Sequence, residues 1–168
     1  MVSQLAKTLK GSEIIKIGNE VNELKKQGAS IANLTIGDFD PAIYPIPTKL
    51  RDGIIDQYNR NQTNYPPADG VAPLREQVSE LLKGRYELDY TPNQILVAGG
   101  SRPLIYGAYL ALVDPGDKVV YTTPSWNNNH YCHLAGAQGV VIPTTAENNF
   151  MPTAADIKPH LKGATMLA

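Results

Sequence analysis

Apolar residues recur at helical spacing over residues 13–27, where Ile14, Ile17, Val21 and Leu24 define one stripe. Ser12 stands where an N-cap belongs, and Gly28 where a helix stops. A second helix is predicted from Pro47, carrying Leu50, Ile54 and Tyr58. A third is predicted from Pro73, with Leu74, Val78, Leu81 and Leu82 turned inward. Leu104 to Val113 reads as a fourth. Short apolar runs at residues 32–36, 95–98, 119–122, 140–143 and 165–168 read as strands. From residue 95 onward strands alternate with helical segments. That pattern predicts an α/β fold with a mostly parallel sheet and helices on both faces. Asn59 to Gly70 is polar and rich in turn residues, and Asp114-Pro115-Gly116-Asp117 is a turn leading into a strand. Thr153 and Asp156 have capping-box spacing, and Pro159 keeps the helix after them short.

Composition narrows the function classes. The chain has 168 residues, 42% hydrophobic and 18% charged, with a formal net charge of −1. Length and composition fit a globular domain with a real core. No block of lysine or arginine marks a nucleic-acid surface, and no apolar run is long enough to span a membrane. Residues 1–12 lack the apolar stretch of a signal peptide. Cys132 is the only cysteine, so no internal disulfide forms, and a cytoplasmic setting is expected. The last run, Ala164 to Ala168, reads as a buried strand with nothing following it. The chain is therefore expected to be the amino-terminal piece of a longer protein.

Two stretches carry candidate chemistry. Gly99-Gly100-Ser101-Arg102-Pro103 lies between an expected strand and an expected helix, a setting that aims backbone N–H groups at an anion. The glycines permit close approach, Ser101 adds a hydroxyl and Arg102 a permanent charge. The turn lacks both the Walker lysine and the three-glycine dinucleotide spacing, so a simple strand-to-helix connection is the alternative. Pro124-Ser125-Trp126 follows the next expected strand and places the only tryptophan at a strand end, where open α/β sheets bind ligands. A tryptophan buried in a core is the alternative, although the polar Asn127-Asn128-Asn129-His130 run argues against it. A phosphate cradle beside a flat aromatic predicts a phosphorylated, planar ligand. His130 and His133 share a helix face at i, i+3 but lack the further ligands a metal needs. No nucleophile, base and orienting group for hydrolysis can be assembled.

Taken in order, several motifs resemble the aspartate aminotransferase family, the fold-type I enzymes that use pyridoxal 5′-phosphate (PLP). Asn33 to Asp40 resembles that family's early glycine loop. Tyr65-Pro66-Pro67-Ala68-Asp69-Gly70, followed by Leu74-Arg75, resembles its Y-x-x-x-x-G-x-x-x-L-R motif. Residues 95–104 resemble the phosphate loop, residues 114–117 the next turn, and Pro124-Ser125-Trp126 the ring-stacking loop. The resemblance implies transfer of an amino group between an amino acid, with aspartate a candidate, and a 2-oxo acid. It implies that Gly100, Ser101 and Arg102 hold the PLP phosphate and that Trp126 stacks on its ring. It also implies that Gly37 contacts the substrate carboxylate and that the protein is a homodimer in which Tyr65 reaches the neighbouring subunit's phosphate. Pro103 departs from the small residue often found there. Residues 1–45 would belong to the small domain and 46–168 to the first part of the large, PLP-binding domain.

The resemblance implies that the lysine that attaches PLP and the acidic partner of its ring nitrogen lie beyond residue 168, and none of the ten lysines here reads as buried in a ring pocket. The chain alone is therefore expected to be inactive and to hold no catalytic residue. Two rivals stand beside this reading. One is another PLP enzyme of the same fold, a lyase or a synthase. The other is a non-catalytic phosphate-binding α/β module.

Overall fold

A computed structural model describes residues 1–35, 37 and 39–168. In chain order the elements are α1 (Gln4–Thr8), α2 (Glu13–Lys26), α3 (Thr48–Asn59), α4 (Ala72–Tyr86), α5 (Ser101–Leu112), β1 (Lys118–Thr123), α6 (Asn128–Ala135), β2 (Gln138–Pro143), α7 (Ala154–Ile157) and β3 (Ala164–Leu167). The chain divides into two compact units, Met1–Thr35 with Ser101–Ala168, and Ile36–Gly100.

The first unit holds the sheet. Its strand order is β2-β1-β3, and both pairings are parallel. Val119 and Val120 of β1 are fully buried, and Tyr121 is nearly so. Successive strand residues point to opposite faces, so burial of all three means that both faces of β1 are covered. On one face Val119 and Tyr121 pack with Tyr109 and Val113 of the α5 segment and with Tyr131, Cys132 and Ala135 of α6. Val120 belongs to the other face. The turn at residues 114–117 forms as expected. The Asp117 carboxylate accepts the Asp114 N–H at 3.0 Å, while the Asp117 N–H donates to the Asp114 carbonyl at 3.0 Å. The Thr153–Asp156 capping box is present, and α7 gives way to a single tight turn at Pro159.

The second unit, α3 and α4 with their connections, is held differently. Arg75 of α4 donates to Asp69 at 2.7 Å and to the Pro92 carbonyl at 3.1 Å. The Asp69 carbonyl accepts the Val97 N–H at 3.0 Å. Between these bonds lies Gly70, at φ +97°, where an added Cβ would stand 2.7 Å from the Val97 Cβ. Only glycine fits that close approach and that backbone angle.

Several expectations need correction. Residues 95–98 are not a strand. Extended backbone becomes a strand only by pairing in a ladder, and among the described residues Val97 bonds instead to the Asp69 carbonyl. Residues 32–35 are not a strand either, and Ile36 lies outside the described residues, as does Asp38. Asn33 Oδ1 accepts both the Thr35 N–H, at 3.1 Å, and its hydroxyl, at 2.6 Å, so a local turn replaces the extended form. Ser12 occupies the α2 N-cap position without a side-chain bond, and the α2 stripe stays open, with Ile17 and Leu24 exposed. In α4, Val78 and Leu82 are half-buried, but Leu74 and Leu81 face solvent. No helix among the described residues is long and apolar enough to cross a membrane.

Candidate active site

The carboxyl end of β1 and the amino end of α5 both belong to the first unit, and they supply the central pair of the site. β1 ends at Thr123. The chain then runs through Pro124, Ser125 and Trp126 before Asn127, at φ +66°, opens α6. Trp126 is 40% exposed, which excludes the core alternative. The Arg102 guanidinium lies over its indole ring, 5.6 Å from the centroid. Such a contact at an exposed position contributes about 0.5–1 kcal/mol. It brings a permanent cation and a flat aromatic together across 24 residues of sequence.

The glycine turn leads directly into α5, a helix of 12 residues. Gly100 has φ +120°, which a side chain would resist. Its own N–H donates to the Ala98 carbonyl at 2.8 Å, so the donors open to an anion begin one residue later. The N–H groups of the first helical turn have no carbonyl to meet within the helix. Pro103 has no N–H to offer. Among the described residues, no acceptor meets the N–H of Ser101 or Arg102. Two backbone donors, a hydroxyl and a guanidinium, at the positive end of a helix dipole, form a donor set that fits a phosphate.

Behind the Trp126 loop the core is polar at one point. Tyr109 of α5 is fully buried, and its hydroxyl donates to Asn128 Oδ1 at 3.2 Å. Asn128 Nδ2 donates in turn to Ser125 Oγ at 3.1 Å. Burial pushes the Tyr109 hydroxyl well above the ordinary phenol range, and neighbouring Cys132 and Tyr121 push it further. Burial likewise raises the Cys132 thiol and the Tyr121 hydroxyl. Tyr109 thus stays protonated and serves as a donor.

The amino-terminal segment also reaches this region, with Gly11 and Ser12 lining a small cleft against Ser125 and Trp126. Nothing in the composition of residues 1–12 signals that role. The three consecutive asparagines, by contrast, were a visible sign of a side-chain-bonded loop. The histidines are spent on structure. His130 Nδ1 lies 3.2 Å from Asn127 Oδ1, and His133 Nε2 lies 3.1 Å from the Leu5 carbonyl, tying α1 to α6. Tyr65 and Gly37 fall in the second unit, Tyr65 fully exposed and Gly37 exposed. The structure therefore brings Arg102 and Trp126 together, with Ser101 beside Arg102 in sequence, and leaves Tyr65 and Gly37 in a separate unit.

Residues 29–167 match the family model for aminotransferase class I and II, and the chain belongs to that family. It is 28% identical over 166 residues to an aspartate aminotransferase of Thermotoga maritima, covering 98% of this chain and 43% of that protein. It is 30% identical to an aspartate aminotransferase of Bacillus sp. strain YM-2, covering 98% and 42% respectively. Among solved structures, the aspartate aminotransferase of Thermus thermophilus with maleate superposes with a TM-score of 0.88 at 25% identity, covering 99% of this chain and 44% of that one. The Rhizobium meliloti aspartate aminotransferase gives a TM-score of 0.85 at 27% identity, covering 99% and 41%. The chain thus spans less than half the length of the relatives it matches. The α/β class expected from the strand and helix pattern is that of these structures.

Proposed function

We propose that this chain forms the amino-terminal part of a PLP-dependent aminotransferase. The whole protein moves an amino group between an amino acid, with aspartate the first candidate, and a 2-oxo acid. The observation that carries the reading is the contact between Arg102 and Trp126 at the open amino end of α5, in a chain of this family. When bound, PLP supplies an electron sink for bonds at the amino acid's α-carbon. The chain's own residues bind and orient. The N–H groups of Ser101 and Arg102, the Ser101 hydroxyl and the Arg102 guanidinium hold the phosphate, and Gly100 keeps the turn free of a side chain. Trp126 presents its ring to the cofactor ring and excludes water from one face. Gly37 offers backbone to the substrate carboxylate. Tyr65, wholly exposed in this chain, serves the phosphate of a second subunit in a cytoplasmic homodimer. Residues 1–45 serve the small domain and 46–168 the large one. The covalent attachment and the α-proton transfer fall to residues outside this chain, so the chain alone is inactive.

Equilibrium PLP binding to the whole protein tests this. Charge-assisted hydrogen bonds contribute about 1.5–3 kcal/mol, so Arg102→Ala and Ser101→Ala should each weaken PLP binding, Arg102→Ala by roughly tenfold or more. PLP should quench Trp126 fluorescence, and Trp126→Phe should remove that quench. Unchanged affinity in both loop variants would show that the glycine turn is only a connection.

A further inference from the structure

We propose that Tyr109 and Asn128 are positioning residues for the Trp126 platform: a buried hydroxyl fixes one loop amide, and that amide fixes Ser125, the residue before the tryptophan. The bonds run in one direction. Tyr109 O–H donates to Asn128 Oδ1 at 3.2 Å, and Asn128 Nδ2 donates to Ser125 Oγ at 3.1 Å. A phenol hydroxyl that donates to the amide oxygen leaves the amide N–H₂ pointing at Ser125, so the amide orientation is set by the buried end. That end is packed into the core. Tyr109 has no solvent exposure, and its ring packs against Tyr131 with centroids 5.4 Å apart. The other end is the part that needs fixing. Ser125 and Trp126 are exposed, and among the described residues the Asn128 amide is the only side-chain hydrogen bond made to Ser125. Asn128 is also the first residue of α6, so the bond back to Ser125 folds the loop onto the helix that follows it.

Phenylalanine would fill the same core volume without the cost of burying a hydroxyl. The hydroxyl, which also lies beside the Cys132 thiol, supplies the bond to Asn128 that phenylalanine would lack. Its significance for the cofactor rests on the reading of Trp126 given under Proposed function.

The test uses the whole protein with Trp126 as its sole tryptophan, any other being changed to phenylalanine. Acrylamide quenching of the cofactor-free protein reports the order of the loop. Tyr109→Phe and Ser125→Ala should each increase quenching and weaken PLP binding by about three- to tenfold, the scale of one net hydrogen bond. Because both remove the same chain of bonds, the double variant should be no worse than the worse single variant. Ser125→Thr, which keeps the hydroxyl, should restore both readouts. A general loss of stability would give neither the non-additivity nor the rescue. Unchanged quenching in Tyr109→Phe, or additive effects in the double variant, would overturn the proposal. Should Tyr109→Phe fail to fold, Asn128→Leu combined with Ser125→Ala makes the same cycle on less buried positions. Normal PLP binding by Trp126→Ala, which removes the aromatic face, would overturn the platform reading alone, since the quenching cycle tests the relay without cofactor.

Discussion

The two units of this chain are stabilised by opposite means. Residues 1–35 and 101–168 contain the parallel sheet, and every large hydrophobic side chain that is buried among the described residues lies in α5, β1, α6 and β2 or next to them. Residues 36–100 bury no large hydrophobic side chain among those described, and Leu50, Leu74, Leu81 and Tyr86 are exposed. That unit is fastened instead by directional contacts, Arg75 to Asp69 and Pro92, and Gly70 against Val97. A close-packed hydrophobic core suffers most from deletion of volume, whereas a polar clamp suffers most from shifts in geometry, because hydrogen bonds depend on distance and angle.

The largest effect should come from emptying the core. Ile142 of β2 is 3% exposed, and Ile142→Ala should destabilise the first unit by about 2–5 kcal/mol in denaturant unfolding. Leu81→Ala in the second unit removes a similar volume from a side chain that is 53% exposed, and should change stability by less than about 0.5 kcal/mol. Equal losses at the two positions would erase the contrast between the units.

The second unit should break at its clamp. Gly70→Ala must place a side chain at φ +97° and a Cβ 2.7 Å from the Val97 Cβ. It should cost more than about 1 kcal/mol and speed amide exchange at Val97, whose N–H is held by Asp69. Val97→Ala should not rescue it, because alanine retains the Cβ that is struck. Full rescue by Val97→Ala would show that the outer methyls make the clash and that the backbone angle is unstrained.

What the sequence could show follows the same division. Helices α2 to α6 were legible because capping residues, prolines and apolar spacing act within a few positions. The strands β1, β2 and β3 were legible because each is a compact apolar run with a partner among the described residues. Residues 95–98 carry the same apolar signal as β1, yet among the described residues pair with no strand, since pairing is a property of the neighbour and not of the run. The inward reading of Leu74 and Leu81 failed for the same reason: periodicity names a face without naming what covers it. At the site, Ser101, Arg102 and Trp126 were visible as residue types suited to an anion and a ring. The cation over the indole, and the Tyr109–Asn128–Ser125 relay, join residues far apart in the chain and could be seen only once folded.

The smallest effect concerns α7, where the first unit uses a polar fastening of its own. The Asp156 carboxylate accepts the Thr153 N–H at 2.8 Å and the Thr153 hydroxyl at 2.7 Å. The Thr153 hydroxyl bond, followed by its backbone N–H, holds the Asp156 carboxyl below the usual aspartate value. A carboxyl whose folded value is depressed stabilises the ionised form, so its contribution is present above the unfolded value near pH 4 and fades as pH falls through the folded one. α7 should therefore loosen only in acid, below about pH 4. An NMR titration should show the Thr153 amide shifting with the Asp156 carboxyl, at a midpoint below that of a free aspartate. Asp156→Asn should remove the titration while leaving the Tyr109 core unchanged. A Thr153 amide that titrates at the free-aspartate value would mean the capping box does not persist in solution.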